Sequence, residues 1–359
     1  MSDAKQKSAQ TVWMIYGAYG YSGELIAREA VRRGQRPVLA GRDAAKTRQL
    51  ASKLGLQAVS FELDNVQQAA GHIKGMDLVI NCAGPFSVTA RPMMNACIAA
   101  KAHYLDITGE IDVFELSQSL GELAAKAGVV LCSGCGFDVI PTDCVAVALK
   151  EAIPDATHLS LGFSGSTRLS PGTAKTTVEG MAMGGKIRRD GKLETVPMAH
   201  HSRLIDYGRG PQTSVAIPWG DVSSAFHSTG IANITVYVPG NRAMIAGARL
   251  AHYLRPVLAL TPVQKLLKAG VGKFIKGPNQ QERDAMPTLV WGEASNGRGR
   301  NKTARIKTAN GYSVTSTGSL AVIEFLLTHQ PAGGAYTPAS LVGHELVTQL
   351  PGSGPMNIS

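Results

Sequence analysis

Val12-Trp-Met-Ile-Tyr-Gly17-Ala-Tyr-Gly20-Tyr-Ser-Gly23-Glu-Leu-Ile-Ala-Arg28 is an apolar run closed by three glycines at three-residue spacing, with helical periodicity from Glu24 to Val31. The pattern predicts strand, tight turn and helix, the opening of a nucleotide-binding βαβ unit. Gly17 reverses the chain with φ > 0, Gly20 lets backbone approach a pyrophosphate, and Gly23 lets the helix lie close on the strand. Exposed N–H groups at the helix start, with the helix dipole, then face a diphosphate. The spacing is G-x-x-G-x-x-G rather than G-x-G-x-x-G, so the strand before it and the helix after it carry the reading.

Outward from this stretch, Arg36-Pro-Val-Leu-Ala-Gly41-Arg42 reads as the second strand. Its tip is where an acid would hold the ribose hydroxyls of NAD; here it carries Arg42, which suits a 2′-phosphate and favours NADP(H). Ala58-Val-Ser-Phe-Glu-Leu63-Asp64 is a third strand whose Asp64 reaches the adenine edge. A fourth runs into Asn81-Cys82-Ala83-Gly84-Pro85-Phe86, expected to border the nicotinamide ribose. A helix over 90–102, the strand at His103-Tyr-Leu-Asp106, a further helix and the strand at Val129-Val-Leu-Cys132 complete an unbroken α/β alternation. The cofactor-binding residues are thus Gly17, Tyr19, Gly20, Tyr21, Gly23, Arg42, Asp64, Cys82, Ala83, Gly84, Pro85 and Phe86.

The 359 residues, 44% hydrophobic and 17% charged, suffice for two cores. From about Ala152 the pattern shifts to strand-like alternation (His158–Phe163, Asn233–Val238, Thr288–Gly292, Thr303–Thr308) mixed with helices. The fold class is α/β: a doubly wound parallel sheet over 1–150, an α+β substrate or dimerisation domain with a mixed or antiparallel sheet over 151–318, and a C-terminal helix and tail over 319–359 folding back on the first domain. A polar N-terminus without signal pattern, no uninterrupted apolar span and five unpaired-looking cysteines point to the cytoplasm.

The formal charge of +10 is uneven. Asp221 and Glu282 bracket a stretch with no acid but with Arg242, Arg249, Arg255, Lys265, Lys268, Lys273 and Lys276, and Arg298–Lys307 is basic again. Such bias favours anionic partners such as phosphorylated cofactors, thioesters or anionic lipid. Residues 243–276 include a basic amphipathic stretch that fits a peripheral membrane surface, an acidic carrier, or packing within the domain or in a homodimer. Sparse aromatics and the lack of a recognition motif argue against nucleic acid.

Reduction by a nicotinamide requires a proton donor near the acceptor. None of the nine tyrosines has a lysine four residues on, which excludes the short-chain dehydrogenase pair. The catalytic candidates are Tyr104 and Asp106 on one face of a strand, and Asp138; Glu110 and Cys135 lie in the same strand-end loops. Aspartates at such positions also serve to bond loop backbone. His200, His201 and Lys175 are second-domain candidates for the cleft. Cys132-x-x-Cys135 has no partner motif, so no metal is expected.

Together, Gly17-Ala-Tyr-Gly-Tyr-Ser-Gly23, Leu39-Ala-Gly-Arg42, Asn81-Cys-Ala-Gly-Pro-Phe86, His103-Tyr-Leu-Asp-Ile-Thr-Gly-Glu110 and Gly136-Phe-Asp-Val-Ile-Pro141 resemble the saccharopine dehydrogenase-like oxidoreductases, a group that includes the mycobacterial trans-acting enoyl reductases. Ser170-Pro-Gly-Thr173 resembles the family's Gly-Gly-Thr turn, and Tyr19 stands where the family carries a small Thr or Ser. The resemblance implies a Rossmann domain, a second α/β domain and an NADP(H)-linked reductase. Its expected substrate is a small molecule reduced at a C=C or C=N bond, a hydrophobic acid that is free or held as an acyl thioester. The alternative is a nucleotide-binding protein without turnover, attached to lipid surfaces or partners.

Overall fold

A computed structural model describes residues 12–165, 184–253 and 279–359, with 256, 260, 262–264 and 270. The first domain alternates strand and helix: β1 (Trp13–Tyr16), α1 (Tyr21–Arg32), β2 (Val38–Gly41), α2 (Ala44–Leu54), β3 (Ala58–Ser60), α3 (Val66–Ile73), β4 (Leu78–Asn81), α4 (Phe86–Ala100), β5 (His103–Asp106), α5 (Ile111–Ser119), α6 (Gly121–Ala127), β6 (Val130–Cys132) and α7 (Ile140–Ala152). The second comprises β7 (His158–Ser164), β8 (Gly185–Arg189), β9 (Lys192–Val196), β10 (Ser202–Asp206), β11 (Pro211–Ile217), α8 (Asp221–Thr229), β12 (Asn233–Pro239), α9 (Arg242–Tyr253), α10 (Gln280–Asp284), β13 (Thr288–Ser295) and β14 (Asn301–Thr308). Then follow α11 (Gly311–Thr328), β15 (Gly334–Tyr336), α12 (Pro338–Val342), α13 (Leu346–Gln349) and β16 (Asn357–Ile358).

All pairs of the first sheet are parallel, in the order β3-β2-β1-β4-β5-β6-β15. Strands β1, β2 and β4 are buried along their whole length, as a sheet covered by helices on both faces requires. The strand order reverses between β1 and β4, so a crevice opens there beyond their carboxyl ends.

The second sheet runs β10-β11-β12-β7-β13-β14-β16, with β8 and β9 branching from β12. Of the mixed and antiparallel arrangements expected, it is the mixed one, because β12 pairs with β7 in parallel. Its inner face (Leu159, Leu161, Ile234, Val236, Val290) packs with Val145 and Leu149 of α7 in one core. At Gly292 of β13 an added Cβ would stand 2.5 Å from Val145 and 2.9 Å from Leu149 of α7.

The C-terminal stretch returns to both sheets: β15 extends the first beside β6, and β16 the second beside β14. Helix α11 starts earlier than its apolar run suggests, because Asn310 caps it by accepting from the Tyr312 amide. Between the domains, buried Arg188 donates to Val222 O (2.7 Å) and Gly191 O (2.8 Å) and pairs with Glu115 of α5, which also accepts from Ser223.

The contact at Gly292 predicts that Gly292→Ala overpacks α7 against the second sheet and costs about 1–3 kcal/mol, seen as a lowered denaturation midpoint.

Candidate active site

Gly17 has φ +78°, and a Cβ there would lie 2.7 Å from the amide nitrogen of Ala83. Only glycine permits both the turn and that approach of the β1 and β4 loops. At Gly23 an added Cβ would stand 2.5 Å from Gly17 O, and at Gly20 3.1 Å from it, so α1 sits directly on the turn. The amides of Gly17 and Ala18 bond Ala40 O and that of Gly20 bonds Gly17 O. These three amides are therefore committed inside the turn. Along α1 the Glu24 amide reaches back to Gly20 O, no side chain caps the helix, and the Ser22 and Gly23 amides have no acceptor among the described residues. Uncapped N–H groups and the dipole of a twelve-residue helix make this end a fit seat for a diphosphate.

The tyrosines of the turn have separate surroundings. Tyr19 lies on the tip of β2, where a Cβ at Gly41 would come 2.6 Å from its ring, and Lys46 Nζ is 5.8 Å from the ring centroid. Tyr21 instead meets Tyr312 edge-on at 4.9 Å and accepts from Arg283 at 3.1 Å. Arg42 is exposed and no described carboxylate pairs with it, whereas Lys46 is paired with Asp43 at 3.1 Å. Asp64 is exposed in the loop after β3.

Beyond β4, Asn81 is buried and its side-chain oxygen accepts from the Ala83 amide at 3.0 Å. Glu110 holds the next turn: its carboxylate accepts from the amides of Phe86 (2.9 Å) and Ser87 (2.7 Å), capping α4. Cys82, Ala83 and Phe86 are half-buried, and Gly84 and Pro85 exposed, along the rim of the crevice.

The three catalytic candidates occupy unlike surroundings. Asp106 has no exposed surface and accepts from Tyr104 (2.8 Å), the Thr108 amide (3.0 Å), Ser133 (3.0 Å) and the Gly134 amide (2.8 Å). Burial raises its pKa against the lowering effect of those four donors. Tyr104 is equally enclosed; burial and the neighbouring Asp106 push its hydroxyl well above the usual value, so it stays protonated. The structure thus places this pair inside the domain, bonded to each other.

Asp138 differs. It is half-buried and has no hydrogen-bond partner for its carboxylate among the described residues; burial lifts its pKa to about 6. Its carboxylate borders Gly109, where an added Cβ would be 2.9 Å from Oδ2, and its own carbonyl accepts from Trp219 Nε1 at 2.8 Å. Phe137, Phe163 and Trp219 form an aromatic wall beside it, with centroids 5.5 Å apart for the first pair and 5.0 Å for the second. A carboxyl titrating near neutrality beside an apolar wall can hand a proton to a bound apolar substrate.

Two further acids sit deeper and had no sequence signal. Asp143 accepts from the Ala339 amide (2.8 Å) and Asp221 from Thr142 (2.6 Å); each keeps a second oxygen without a partner, and burial raises both pKa values. Cys132 and Cys135 are buried and free, with Sγ atoms 3.5 Å apart. His201 bonds Tyr237 on the sheet face opposite Val236 and Phe163, and His200 lines the same surface hollow as His201 and Tyr237, so neither is brought to Asp138. Lys175 and Ser170–Thr173 lie outside the described residues, as does most of the basic stretch after Tyr253.

This geometry defines a dinucleotide-binding domain and, beyond β6, a carboxyl at Asp138 beside three clustered aromatic rings. Residues 13–132 match the family model of the saccharopine dehydrogenase NADP binding domain. The human saccharopine dehydrogenase-like oxidoreductase is 28% identical over 214 residues, covering 52% of this chain and 50% of its own length. A trans-acting enoyl reductase of Mycobacterium bovis (strain BCG / Pasteur 1173P2) is also 28% identical over 214 residues, covering 55% of this chain and 50% of its own. The chain thus spans about half the length of the curated relatives it matches. In fold, apo saccharopine dehydrogenase (L-Glu forming) of Saccharomyces cerevisiae superposes with a TM-score of 0.66 at 11% identity, over 97% of this chain and 100% of that one. Residues 13–132 therefore resemble a saccharopine dehydrogenase NADP-binding domain in sequence, and the chain shares its fold with saccharopine dehydrogenase. Its cofactor is a nicotinamide dinucleotide.

Asparagine at 106 offers one accepting oxygen and turns an amide donor toward groups that themselves donate. Asp106→Asn is expected to cost about 1–3 kcal/mol for each donor left unpaired, measured by denaturant unfolding.

Proposed function

We propose that the chain is an NADP(H)-dependent oxidoreductase that reduces a C=C or C=N bond of a hydrophobic acid, free or thioester-linked. The observation that carries the reading is the position of Asp138: a carboxyl with a pKa near 6, beside the aromatic wall, in a loop at the carboxyl end of the sheet that holds the dinucleotide seat. The matched enoyl reductase supports the C=C version.

The uncapped start of α1 would hold the diphosphate, Arg42 and Tyr19 the phosphorylated ribose end, and the Cys82–Phe86 rim the nicotinamide ribose. When bound, the nicotinamide supplies or accepts hydride. Phe137, Phe163 and Trp219 exclude water from the substrate, and Asp138 delivers the proton. Tyr104 and Asp106 act at one remove, by fixing the β5 and β6 loops that place Asp138.

A second reading has one observation in its favour: α9 exposes Met244, Leu250 and Tyr253 beside Arg242 and Arg249, a surface suited to a lipid headgroup layer or a second subunit. Oxidation of NADPH with enoyl thioesters or imines supports the enzyme; co-sedimentation with anionic liposomes and no oxidation of either substrate class supports the other.

Removing Arg42 tests the cofactor preference. Arg42→Ala is expected to weaken NADPH binding about tenfold or more while leaving NADH binding nearly unchanged, by fluorescence titration; equal loss for both refutes the role.

Asp138 generates a pH prediction with a defined sign. Its folded pKa, about 6, is above the unfolded value, so the stability it contributes is complete at low pH and lost as pH rises through about 6. Asp138→Asn should therefore unfold at a higher temperature than the parent above pH 6 and coincide with it at low pH. The parent's kcat/KM for reduction should fall as pH rises through about 6, and the variant should lose both rate and profile.

A further inference from the structure

Three consecutive residues of the second domain close on the loop that carries Asp138. Trp219 Nε1 donates to the Asp138 carbonyl at 2.8 Å. At Gly220 an added Cβ would lie 3.0 Å from Gly109 O, and Gly109 itself borders the Asp138 carboxylate. Asp221, the first residue of α8, places its Oδ1 2.6 Å from Thr142 Oγ1 in the first turn of α7. Segment 219–221 thus meets the backbone of Asp138, the loop beside its carboxylate and the helical turn that follows it.

An ionised Asp221 leaves this clasp one proton short. Thr142 Oγ1 is also 3.0 Å from Val139 O, which takes the Asp143 amide on its other lone pair. The Thr142 hydroxyl has a single proton for two acceptors. Both contacts hold when the Asp221 carboxyl donates to Thr142 Oγ1 and the Thr142 hydroxyl donates to Val139 O. The surroundings agree. Asp221 has no exposed surface, and its Oδ2 has no partner among the described residues. No described cation pairs with it. The groups of the α7 side that act on it are the carboxyls of Asp138 and Asp143. Arg188 of β8 and His227 of α8 both turn to Glu115 of α5, Asp112 of α5 is exposed, and β12 carries no charge. A buried carboxylate without a cation takes up a proton instead. Burial, outweighing the Thr142 bond, and then Asp143 and Asp138 push its pKa well above the usual value. The proton of Asp138 is held by burial alone, as expected beside a neighbour without charge.

We infer that Asp221 works as a neutral carboxylic acid whose O–H is donated to Thr142, and that this bond makes it the positioning residue for Asp138. The role toward Asp138 rests on the proton-donor reading above; the protonation of Asp221 does not. A neutral acid suits the place, because it supplies a donor without a charge to repel the Asp138 carboxylate as that group gives up its proton.

The test uses the full chain. Asp221→Asn keeps the shape and offers an N–H to Thr142, whereas Asp221→Ala removes the bond; Thr142→Val takes its place where Asp221→Ala does not fold. At neutral pH the infrared difference between the parent and Asp221→Asn should contain the C=O stretch of an un-ionised carboxylic acid. Carboxylate bands in its stead overturn the protonation. Positioning is read from the side-chain carboxyl carbon of Asp138, followed by NMR against pH. It should titrate near 6 in the parent and in Asp221→Asn, and move down toward the ordinary carboxylate value in Asp221→Ala. An Asp138 still titrating near 6 without the bond overturns the positioning role. With substrate and NADPH, kcat should fall about tenfold to a hundredfold in Asp221→Ala with KM nearly kept, and recover in Asp221→Asn. Equal losses in both variants also overturn the role. If the parent reduces neither enoyl thioesters nor imines, the reductase reading fails while the infrared and NMR arms still decide Asp221.

Discussion

The contact between Gly17 and the backbone of Ala83 is the constraint on which the rest depends. It brings the first turn and the β4 loop to a separation that no side chain at position 17 would allow. Because those loops meet at the point where strand order reverses, the contact sets the width of the crevice and the aim of α1. Asn81, Glu110 and Asp106 then tie the β4, β5 and β6 loops by accepting from backbone amides at Ala83, Phe86, Ser87, Thr108 and Gly134. Irregular backbone buried at a strand end needs such acceptors, and here side chains supply them.

Two aspartates of neighbouring loops meet very different surroundings. Asp106 is wholly enclosed but meets four donors, so its oxygens are fully occupied in holding loops. Asp138 is less enclosed yet meets none, and its proton is held to about pH 6 by burial. A carboxyl already bonded on every side has little capacity for exchange with a substrate, whereas an unbonded one titrating near neutrality has it. The ring cluster beside Asp138 draws on residues far apart in the chain: Phe137 before α7, Phe163 on β7 and Trp219 before α8, with Gly311 at the start of α11 against Phe137. Helix α7 holds them in register by belonging to both layers, and the return of β15 and β16 to the two sheets braces the arrangement.

Much of this was legible in the residues. The Gly17–Gly23 spacing, the apolar strands and the helical periods between them specify the parallel sheet, since each is a local pattern with one matching conformation. The early start of α11 was not readable from apolar periodicity, because Asn310 and the small residues of its first turns extend it. Nor was β15, a three-residue strand among glycines that exists because β6 offers an open edge. Tyr104 and Asp106 were correctly placed on one face by the period of two; how far that face is shut from substrate depends on Ser133 and Gly134, which arrive from another strand.

The sequence by itself determined the dinucleotide-binding turn, the order of the first domain's elements, the basic bias and the family resemblance. Each is written in contiguous residues whose conformation follows from local sterics and periodicity. Only the tertiary structure decided that Asp106 is enclosed while Asp138 is not, that Asp143 and Asp221 are buried with unpartnered oxygens, and that Trp219 and Asp221 reach Asp138 and Thr142. Desolvation and charge proximity depend on what the fold brings within a few ångströms, and no spacing along the chain encodes that.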